Sequence, residues 1–390
     1  MLVLLVLLLS EAAGSDVDRC DRMEIGWCRE IPSEDPSRLQ QFAVDSVSDD
    51  VFAASAVALY RFDGRLHRLV DSVPLRSPQS PSRNCSERAP PCSGPTMEPA
   101  RNDAKILRFI PDKPGRLLYC GSDDDGLCSV FDVADHLRRD VLDAGNVLNR
   151  VGGRTDVHGF FSRRGDLYVG AAYDDSQLSV MSALRLGRTE DGRFNITYLS
   201  DRTSDGAGSA VATRSTVGVI PGYRPRFSSS YVYGFEHRGF AYFLTVQQNQ
   251  GLDDSPYTKL VRVCQNDTGF NSYMELELDC RRSVGLLLSV DYGFAVTADL
   301  APVSAELGKA LGIANNEMML FVVFSRSAGG GYSDEVKDEH EFGLCVFSMH
   351  AVRQEFTQVQ KNCYQGMGDL LPWMYKDVKK CRKLVIYLHF

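Results

Sequence analysis

The sequence predicts an all-β fold built from many short strands, and three observations support it. Short apolar, aromatic and β-branched runs recur along the chain, and Gly, Asp, Asn, Ser or Pro follows most of them. Only two segments have the pattern of a helix. Eleven cysteines follow an apolar N-terminal segment, as is typical of an exported, disulfide-bonded protein. A chain of this kind is expected to form a sandwich pair, a barrel or a propeller.

The N-terminal segment has the pattern of a signal peptide. Residues 2–9 are aliphatic, and the small residues Ala12 and Gly14 precede Ser15, as a cleavage site requires. An apolar run of this length is too short to span a bilayer, which takes about 20 residues. Residues 1–14 are therefore predicted to be a signal peptide, and no later segment is predicted to cross the membrane.

The predicted strands are short and closely spaced. In chain order they are residues 51–60, 106–110, 117–120, 167–172, 231–235, 240–246, 260–263 and 319–324. The clearest hairpin joins residues 231–235 to 240–246 through a four-residue loop that ends in Gly239. Its aromatic residues are predicted to pack in the core rather than to bind a ligand.

Two helices and two long surface loops complete the pattern. The helices are predicted over residues 130–147 and 303–311; Pro302 precedes the second helix and Gly312 ends it. The loops are predicted over residues 77–97, rich in Pro, Ser and Arg, and 328–341, rich in Gly, Asp and Glu. Neither loop divides the chain into separate domains.

Composition and charge exclude several classes of protein. Hydrophobic residues make up 44% of the chain and charged residues 24%, which suffices for a sizeable core. A net charge of -8 argues against a nucleic-acid partner, because phosphate binding needs a basic face. No Cys-x-x-Cys pair occurs, so disulfides are favoured over a zinc site. His340 lies in an acidic run and is interpreted as part of a solvated charge cluster.

The sequence predicts no catalytic, cofactor or metal site. The nucleophile-elbow, zinc-protease, dinucleotide-binding and phosphate-loop motifs are all absent. The acidic run Asp123-Asp124-Asp125 lacks the remaining ligands of a twelve-residue calcium loop. We interpret it as an exposed acidic turn.

Three sequons predict N-glycosylation, at Asn84, Asn195 and Asn266. A used sequon must be exposed. Asn195 is the favoured position, because Asn84 adjoins Cys85, which is expected to be oxidised.

Five segments, taken in order, carry a family pattern. They are residues 51–62, 105–128, 231–247, 261–280 and 363–381, and before the last of these comes the predicted helix ending at Leu311-Gly312, followed by residues 319–325. The second contains Cys-Gly-Ser closed by Gly-Leu-Cys, and the last reads Cys-Tyr-Gln-Gly-Met-Gly followed by Leu-Pro-Trp. Together they resemble the sema domain of plexins and of the related hepatocyte-growth-factor receptors, and the last motif favours plexins. The match is weak between Ala172 and Arg226.

The resemblance implies a sema-type seven-bladed β-propeller with short helical insertions. Its expected organisation is an N-terminal segment over residues 15–50, a partial sema domain over 51–381 and a divergent tail over 382–390. The last one or two blades are expected to be missing from this sequence.

The resemblance also implies a disulfide pattern. The expected pairs are Cys85 with Cys92, Cys120 with Cys128, Cys280 with Cys345, and Cys363 with Cys381, with Cys20 and Cys28 as neighbours of each other. In plexins the cysteine that matches Cys264 pairs with one beyond the position of Cys381. Cys264 is therefore expected to be unpaired here, which accounts for the odd number of cysteines.

The function implied by the resemblance is that of a receptor ectodomain and not of an enzyme. Its expected ligand is a semaphorin or a related protein, at the cell surface or in the extracellular space, with homo- or hetero-association of the receptor. One alternative is a growth-factor receptor ectodomain of the hepatocyte-growth-factor receptor type. A second alternative is a secreted propeller hydrolase that uses paired carboxylates.

Overall fold

A computed structural model describes most of the central part of the chain. The described residues are 38–65, 68–75, 102–122, 126–142, 151, 156–172, 179–202, 213–219, 228–248, 256–284, 288–314, 316–326 and 342–364. They include strands β1 to β24 and helices α1 and α2. The predicted signal peptide, the two predicted long loops and the acidic run 123–125 lie outside these residues.

Five antiparallel sheets of three or more strands follow one another along the chain, and we call them blades 1 to 5. Blade 1 consists of β1 (Gln41–Val44), β2 (Val51–Ala54), β3 (Ala58–Phe62) and β4 (Leu69–Pro74). Blade 2 consists of β5 (Ala104–Phe109), β6 (Arg116–Gly121), β7 (Cys128–Asp132) and β8 (Arg138–Val141). Blade 3 consists of β9 (His158–Phe161), β10 (Asp166–Gly170), β11 (Ser179–Arg188) and β12 (Phe194–Tyr198), with β15 (Thr216–Gly218) paired to β11.

Blade 4 consists of β16 (Ser229–His237), β17 (Phe240–Gln248), β18 (Pro256–Cys264) and β19 (Met274–Glu277). Blade 5 consists of β22 (Phe294–Pro302), β23 (Met318–Ser325) and β24 (Phe342–Ser348). Two small sheets pair β13 (Asp201–Arg202) with β14 (Thr213–Arg214) and β20 (Arg281–Val284) with β21 (Leu288–Asp291). The helices are α1 (Ala305–Leu311) and α2 (Met349–Tyr364).

The blades are arranged around a common axis. The first strand of each blade contacts the first strand of the next, in the order β1, β5, β9, β16 and β22. Each sheet then runs outward through its second, third and, in blades 1 to 4, fourth strand. This arrangement is a β-propeller. The prediction of an all-β propeller with few helices is confirmed, and five blades are seen in the described part of the chain.

The core lies between the blades because alternate residues of a strand point to opposite faces of its sheet. Strand β17 illustrates this. Ala241 and Phe243 pack in the cluster shared with blade 3, whereas Tyr242, Leu244 and Val246 pack in the cluster shared with blade 5. All five side chains are buried. Full burial of a large apolar side chain contributes about 1.5–3 kcal/mol, so both blade interfaces stabilise the ring.

The hairpin of blade 4 is tighter than predicted. Its strands extend to His237 and Phe240, which leaves only Arg238 and Gly239 in the turn. Both turn residues have positive φ, 48° and 80°, as a type I′ turn requires. The predicted single strand over residues 51–60 is instead two strands, β2 and β3, because the Ser55 hydroxyl accepts backbone hydrogen bonds and forms a turn between them.

One predicted helix is confirmed and one is wrong. Helix α1 begins after Ser304, whose hydroxyl accepts the N–H of Leu307, and ends at Gly312 in the left-handed conformation. Residues 130–147 were predicted to be helical, but their described part lies in β7 and β8. Strand β7 pairs with both β6 and β8, so sheet pairing decides its conformation.

Helix α2 is not predicted by the sequence analysis. Its residues are mostly polar, but Val352 and Phe356 lie one turn apart and are buried against the strands of blades 4 and 5. Among the described residues, no helix is long and apolar enough to cross a bilayer.

The close packing of blades 3 and 4 predicts a large effect of one added methyl group. In Gly170→Ala, an ideally placed Cβ would lie 1.9 Å from Cδ1 of Tyr231, a buried ring that packs on Phe243. We expect a loss of about 1–3 kcal/mol in the free energy of unfolding, measured by urea denaturation. Gly187→Ala is the control, because no atom lies within 4 Å of its added Cβ. Equal midpoints for the two variants would contradict this packing.

Candidate interaction domain

Two disulfides lie within the described part of the chain. Cys120 and Cys128 are bonded across neighbouring strands β6 and β7 and close the loop that contains the acidic run. Cys280 is bonded to Cys345, 65 residues further along, and links the end of blade 4 to the last strand of blade 5. Closing a loop of that length stabilises a fold by about 2–4 kcal/mol. Both pairs are those that the family resemblance implies.

The other cysteines are described less fully. Cys264 ends β18, is half-buried and is not bonded to another described cysteine. Its N–H donates to the hydroxyl of Ser272 at 2.9 Å. Cys363 lies in α2, and its side chain is outside the described residues. The expected partners in the remaining pairs, Cys20, Cys28, Cys85, Cys92 and Cys381, are outside the described residues as well.

The described sequons differ in accessibility. Asn195 lies within β12, is half-buried, and has a buried Oδ1 without a hydrogen-bond partner. Asn266 is exposed in the connection between β18 and β19. The structure therefore favours Asn266 over Asn195 as a glycan acceptor, the reverse of the order predicted from the sequence. Asn84 lies outside the described residues.

A polar track crosses the first strands of blades 2 to 5. It consists of Arg108 on β5, His158 on β9, Tyr233 on β16 and Asp299 on β22. The His158 and Tyr233 rings lie 5.9 Å apart between centroids. The Tyr233 hydroxyl donates to Asp299 Oδ1 at 3.3 Å and accepts the N–H of Leu300 at 3.3 Å. These contacts link neighbouring blades next to the propeller axis.

Burial determines the charge states of this track. It lowers the pKa of His158 to about 3, and the charge of Arg108 adds to that effect. A hydrogen bond with the backbone of Gly234 acts in the opposite direction. Burial and the nearby Asp299 carboxylate raise the pKa of Tyr233 to about 12. His158 and Tyr233 are therefore neutral at physiological pH and are poorly suited to acid–base catalysis there.

A second polar network lies inside blade 4. Lys259 Nζ contacts Glu275 Oε2 at 2.9 Å and Gln247 Oε1 at 3.2 Å. The Tyr273 hydroxyl donates to Glu275 Oε1 at 2.6 Å, and burial followed by the Glu275 charge raises the pKa of Tyr273 well above its usual value. A buried ion pair with additional hydrogen bonds constrains the register of the strands that carry it. The carboxylate of Glu275 therefore has a structural role in this network.

One end of blades 3 and 4 is fastened by a partly buried carboxylate. Glu236 Oε2 accepts the backbone N–H of Arg163 at 2.7 Å and the side-chain amide of Gln265 at 2.9 Å. Arg164, in the same β9–β10 turn, donates to Oδ1 of Asn266. The turn of blade 3 is thereby tied to the hairpin and the outer connection of blade 4.

Arg262 secures helix α2 on this end of blade 4. Its side chain is buried, and its guanidinium lies 4.5 Å from the centre of the Phe240 ring and 4.2 Å from that of Phe356. Burial lowers the pKa of Arg262, and within the described ranges no carboxylate pairs with it. Stacking on two aromatic faces offsets part of the desolvation cost, at about 2 kcal/mol or more for a buried cation–π contact.

Sequence reasoning missed the polar track, Arg262 and the Glu236 contacts. The track joins residues from four different blades, which only the ring brings together. A partial signal existed for Arg262, because its neighbours Tyr242 and Phe240 belong to the aromatic hairpin that the sequence identified. Its second ring, Phe356, lies in the unpredicted helix.

Comparison with known proteins gives relatives over most of the chain. Plexin-A4 from Danio rerio is 28% identical over 362 residues, which cover 86% of this chain and 18% of the relative. Plexin-A4 from Homo sapiens is 27% identical over 357 residues, with the same two coverages. The chain thus spans about a fifth of the length of these relatives. No protein-family model matches the chain.

Solved structures show the same fold. The full extracellular region of Plexin A4 superposes with a TM-score of 0.65 at 23% identity, covering 84% of this chain and 36% of that one. One chain of the solved complex of Drosophila Plexin A with Semaphorin 1b superposes with a TM-score of 0.51 at 13% identity, covering 82% of this chain and 55% of that one. Drosophila Semaphorin 1a superposes with a TM-score of 0.53 at 13% identity, covering 82% of this chain and 54% of that one.

The fold and these superpositions define a β-propeller like that of the Plexin A4 extracellular region. The sequence is similar to plexins over 86% of the chain.

The burial of His158 predicts a measurable pH dependence of stability. The pKa of His158 is about 3 when folded and near 6.5 when unfolded, so below pH 6.5 the unfolded state binds more protons. Its neutral side chain therefore costs stability progressively as the pH falls from 6.5 towards 3. In His158→Gln, the free energy of unfolding should fall less steeply with decreasing pH, by up to about 1.4 kcal/mol per pH unit. Urea denaturation at a series of pH values measures this slope.

The matched control is His350→Gln, because His350 is exposed at the start of helix α2. It should leave the slope unchanged. Parallel curves for the wild type and His158→Gln would show that His158 is not held neutral in the fold.

Proposed function

We propose that this chain is the ligand-binding region of a cell-surface receptor and that its ligand is a semaphorin or a related protein. The observation that carries the proposal is sequence similarity to plexins over 86% of the chain. A chain from a plexin–semaphorin complex with the same propeller fold supports it further. Because a propeller exposes its turns and outer strands, such a ligand would bind the surface and not the core.

The proposal places the protein in the secretory pathway and then at the cell surface. Disulfides in the described part of the chain suit an oxidising compartment. The exposed sequon at Asn266 suits the same route. In this proposal residues 1–14 are a signal peptide, 15–50 an N-terminal segment, 51–381 the sema domain and 382–390 a divergent tail.

We propose binding and not catalysis as the activity. The strongly shifted groups His158, Tyr233 and Tyr273 are paired inside or between blades and do not converge on an open cleft. Among the described residues, no cluster of three His, Cys, Asp or Glu is placed to hold a metal ion. The relatives compared above are plexins, so no observation favours the growth-factor receptor or hydrolase alternatives.

Surface plasmon resonance with immobilised semaphorin ectodomains tests the proposed ligand. The secreted, oxidised chain should bind at least one semaphorin saturably, and Gly187→Ala should bind equally. The same protein after reduction and alkylation should lose binding, because the surface depends on a folded propeller. If a chain with native near-ultraviolet circular dichroism binds no semaphorin, or if the reduced chain binds equally well, the proposed ligand is wrong.

We also propose that the five described blades are part of a seven-bladed ring. Support comes from blade 5, whose outer strand exposes Leu344 at 64%, as a sheet face next to a further blade would do. Electron-microscopy class averages viewed along the ring axis, recorded on the receptor ectodomain, should show seven blades. A closed ring of five blades would exclude the proposal.

A further inference from the structure

One end of blades 3 and 4 carries an excess of positive charge in an acidic protein. Arg163 and Arg164 lie in the β9–β10 turn, Arg238 lies in the β16–β17 turn, and Arg353 lies in α2. The first three are exposed and the fourth is half-buried. We call these four residues the arginine rim. The whole chain has a net charge of -8, so the rim differs in sign from the protein as a whole.

Contacts within the fold hold the rim in place. Both turns join the first and second strands of adjacent blades, so topology puts them at the same end of the propeller. Glu236 fastens the backbone of Arg163 to the blade 4 hairpin at 2.7 Å. Helix α2 is anchored beside that hairpin because Phe356, one turn after Arg353, stacks on Arg262. The guanidinium groups therefore extend from ordered turns and from a packed helix.

The charges of the rim are largely uncompensated. Arg164, Arg238 and Arg353 form no ion pair with any carboxylate of the described residues, whereas Arg163 has one contact, with Glu236 at 3.5 Å, and is 93% exposed. Two nearby carboxylates are engaged elsewhere: Asp267 by its own turn, and Asp112, which lies beside Gly165 of the β9–β10 turn, by Lys113 at 2.8 Å. The positive charges of Arg238, Arg353 and Arg163 also lower the pKa of His237, after the larger effect of its burial.

The rim lacks the apolar side chains that anchor most protein partners. The exposed large apolar residues of the described chain lie in or next to blades 1, 2 and 5, or in α1. None belongs to the β9–β10 turn, the β16–β17 turn or α2. Protein interfaces usually depend on buried aromatic or apolar residues at their centre. A flexible polyanion needs only clustered cationic groups, because its affinity comes mainly from released counterions.

We propose that the arginine rim binds a sulfated polysaccharide of the heparin class. Guanidinium groups donate paired hydrogen bonds to sulfate oxygens as they do to phosphate and carboxylate. The polysaccharide would lie across the turns of blades 3 and 4 and beside α2. This proposal rests on the proposed function only in that an extracellular location would expose the arginine rim to such polysaccharides. Binding of the polysaccharide does not require a semaphorin.

The test compares the whole chain with two variants of equal charge change. The rim variant is Arg163→Gln/Arg164→Gln/Arg238→Gln. The control variant is Arg138→Gln/Arg193→Gln/Arg281→Gln, which removes three exposed arginines that form ion pairs elsewhere. Affinity for a size-defined heparin oligosaccharide is measured by biolayer interferometry at several salt concentrations, and urea denaturation checks that both variants fold.

The wild type should bind the oligosaccharide with an affinity that falls steeply with salt. The rim variant should bind about tenfold more weakly or worse, with a slope of log affinity against log salt lower by about two to three. The control variant should stay within about twofold of the wild type, since its arginines lie outside the rim. Desulfated heparin should not bind.

Three results would overturn the proposal. These are no binding by the wild type, equal losses in the rim and control variants, and a rim variant that keeps heparin binding but loses binding to an acidic protein ligand. The last result would assign the rim to a protein partner. The measurements are repeated after enzymatic removal of N-glycans, because a glycan on Asn266 would lie next to Arg164. If heparin binding fails while semaphorin binding is intact, the receptor proposal still holds. If semaphorin binding fails while heparin binding is intact, the polysaccharide site still holds.

Discussion

The structure depends on the burial of both faces of its inner sheets. A strand such as β17 contributes Phe243 to one blade interface and Tyr242 to the other, so neither interface forms fully without both neighbours. Local strand propensity cannot supply that stabilisation, because a single four-stranded sheet leaves one apolar face in water. Close contacts such as that of Gly170 with Tyr231 are possible only where the adjacent blade is already in position. The ring is therefore cooperative across blade boundaries.

Polar groups near these interfaces are structural consequences of the same packing. His158 and Tyr233 lie on first strands, where the blades converge and water has little access, and their pKa values move away from neutrality. Lys259 and Glu275 are paired inside blade 4 at 2.9 Å. Displaced pKa values often mark catalytic sites, but here the Tyr233 hydroxyl is bonded to Asp299 and His158 forms a hydrogen bond with the backbone of Gly234, both within the fold.

The sequence predicted the elements whose pattern is local and missed those that depend on the ring. The second helix was predicted because Pro302 and Gly312 are local boundary signals, and the aromatic strands of blade 4 were predicted because their apolar residues are continuous. Residues 130–147 were misassigned because pairing of β7 with two neighbours outweighs local preference. Helix α2 was missed because its apolar stripe is narrow and becomes meaningful only against blades 4 and 5. The aromatic core was predicted, whereas Arg262 and the polar track required the three-dimensional arrangement.

The described turns differ in whether their charged side chains are exposed or used within the turn. The difference follows from the hydrogen bonds that stabilise each turn. In blade 1 the Asp45 carboxylate is consumed by its own β1–β2 turn, where it accepts from Val47 and Ser48. In the β9–β10 turn of blade 3 the opposite holds: a partly buried carboxylate from the next blade, Glu236, accepts the backbone N–H of Arg163, and the side chains of Arg163 and Arg164 stay exposed. A turn that is stabilised through its backbone keeps its side chains available for a partner. The arginine rim is therefore positioned by the contact of Glu236 with the β9–β10 turn, which also joins blade 3 to blade 4. Its position depends on an intact propeller.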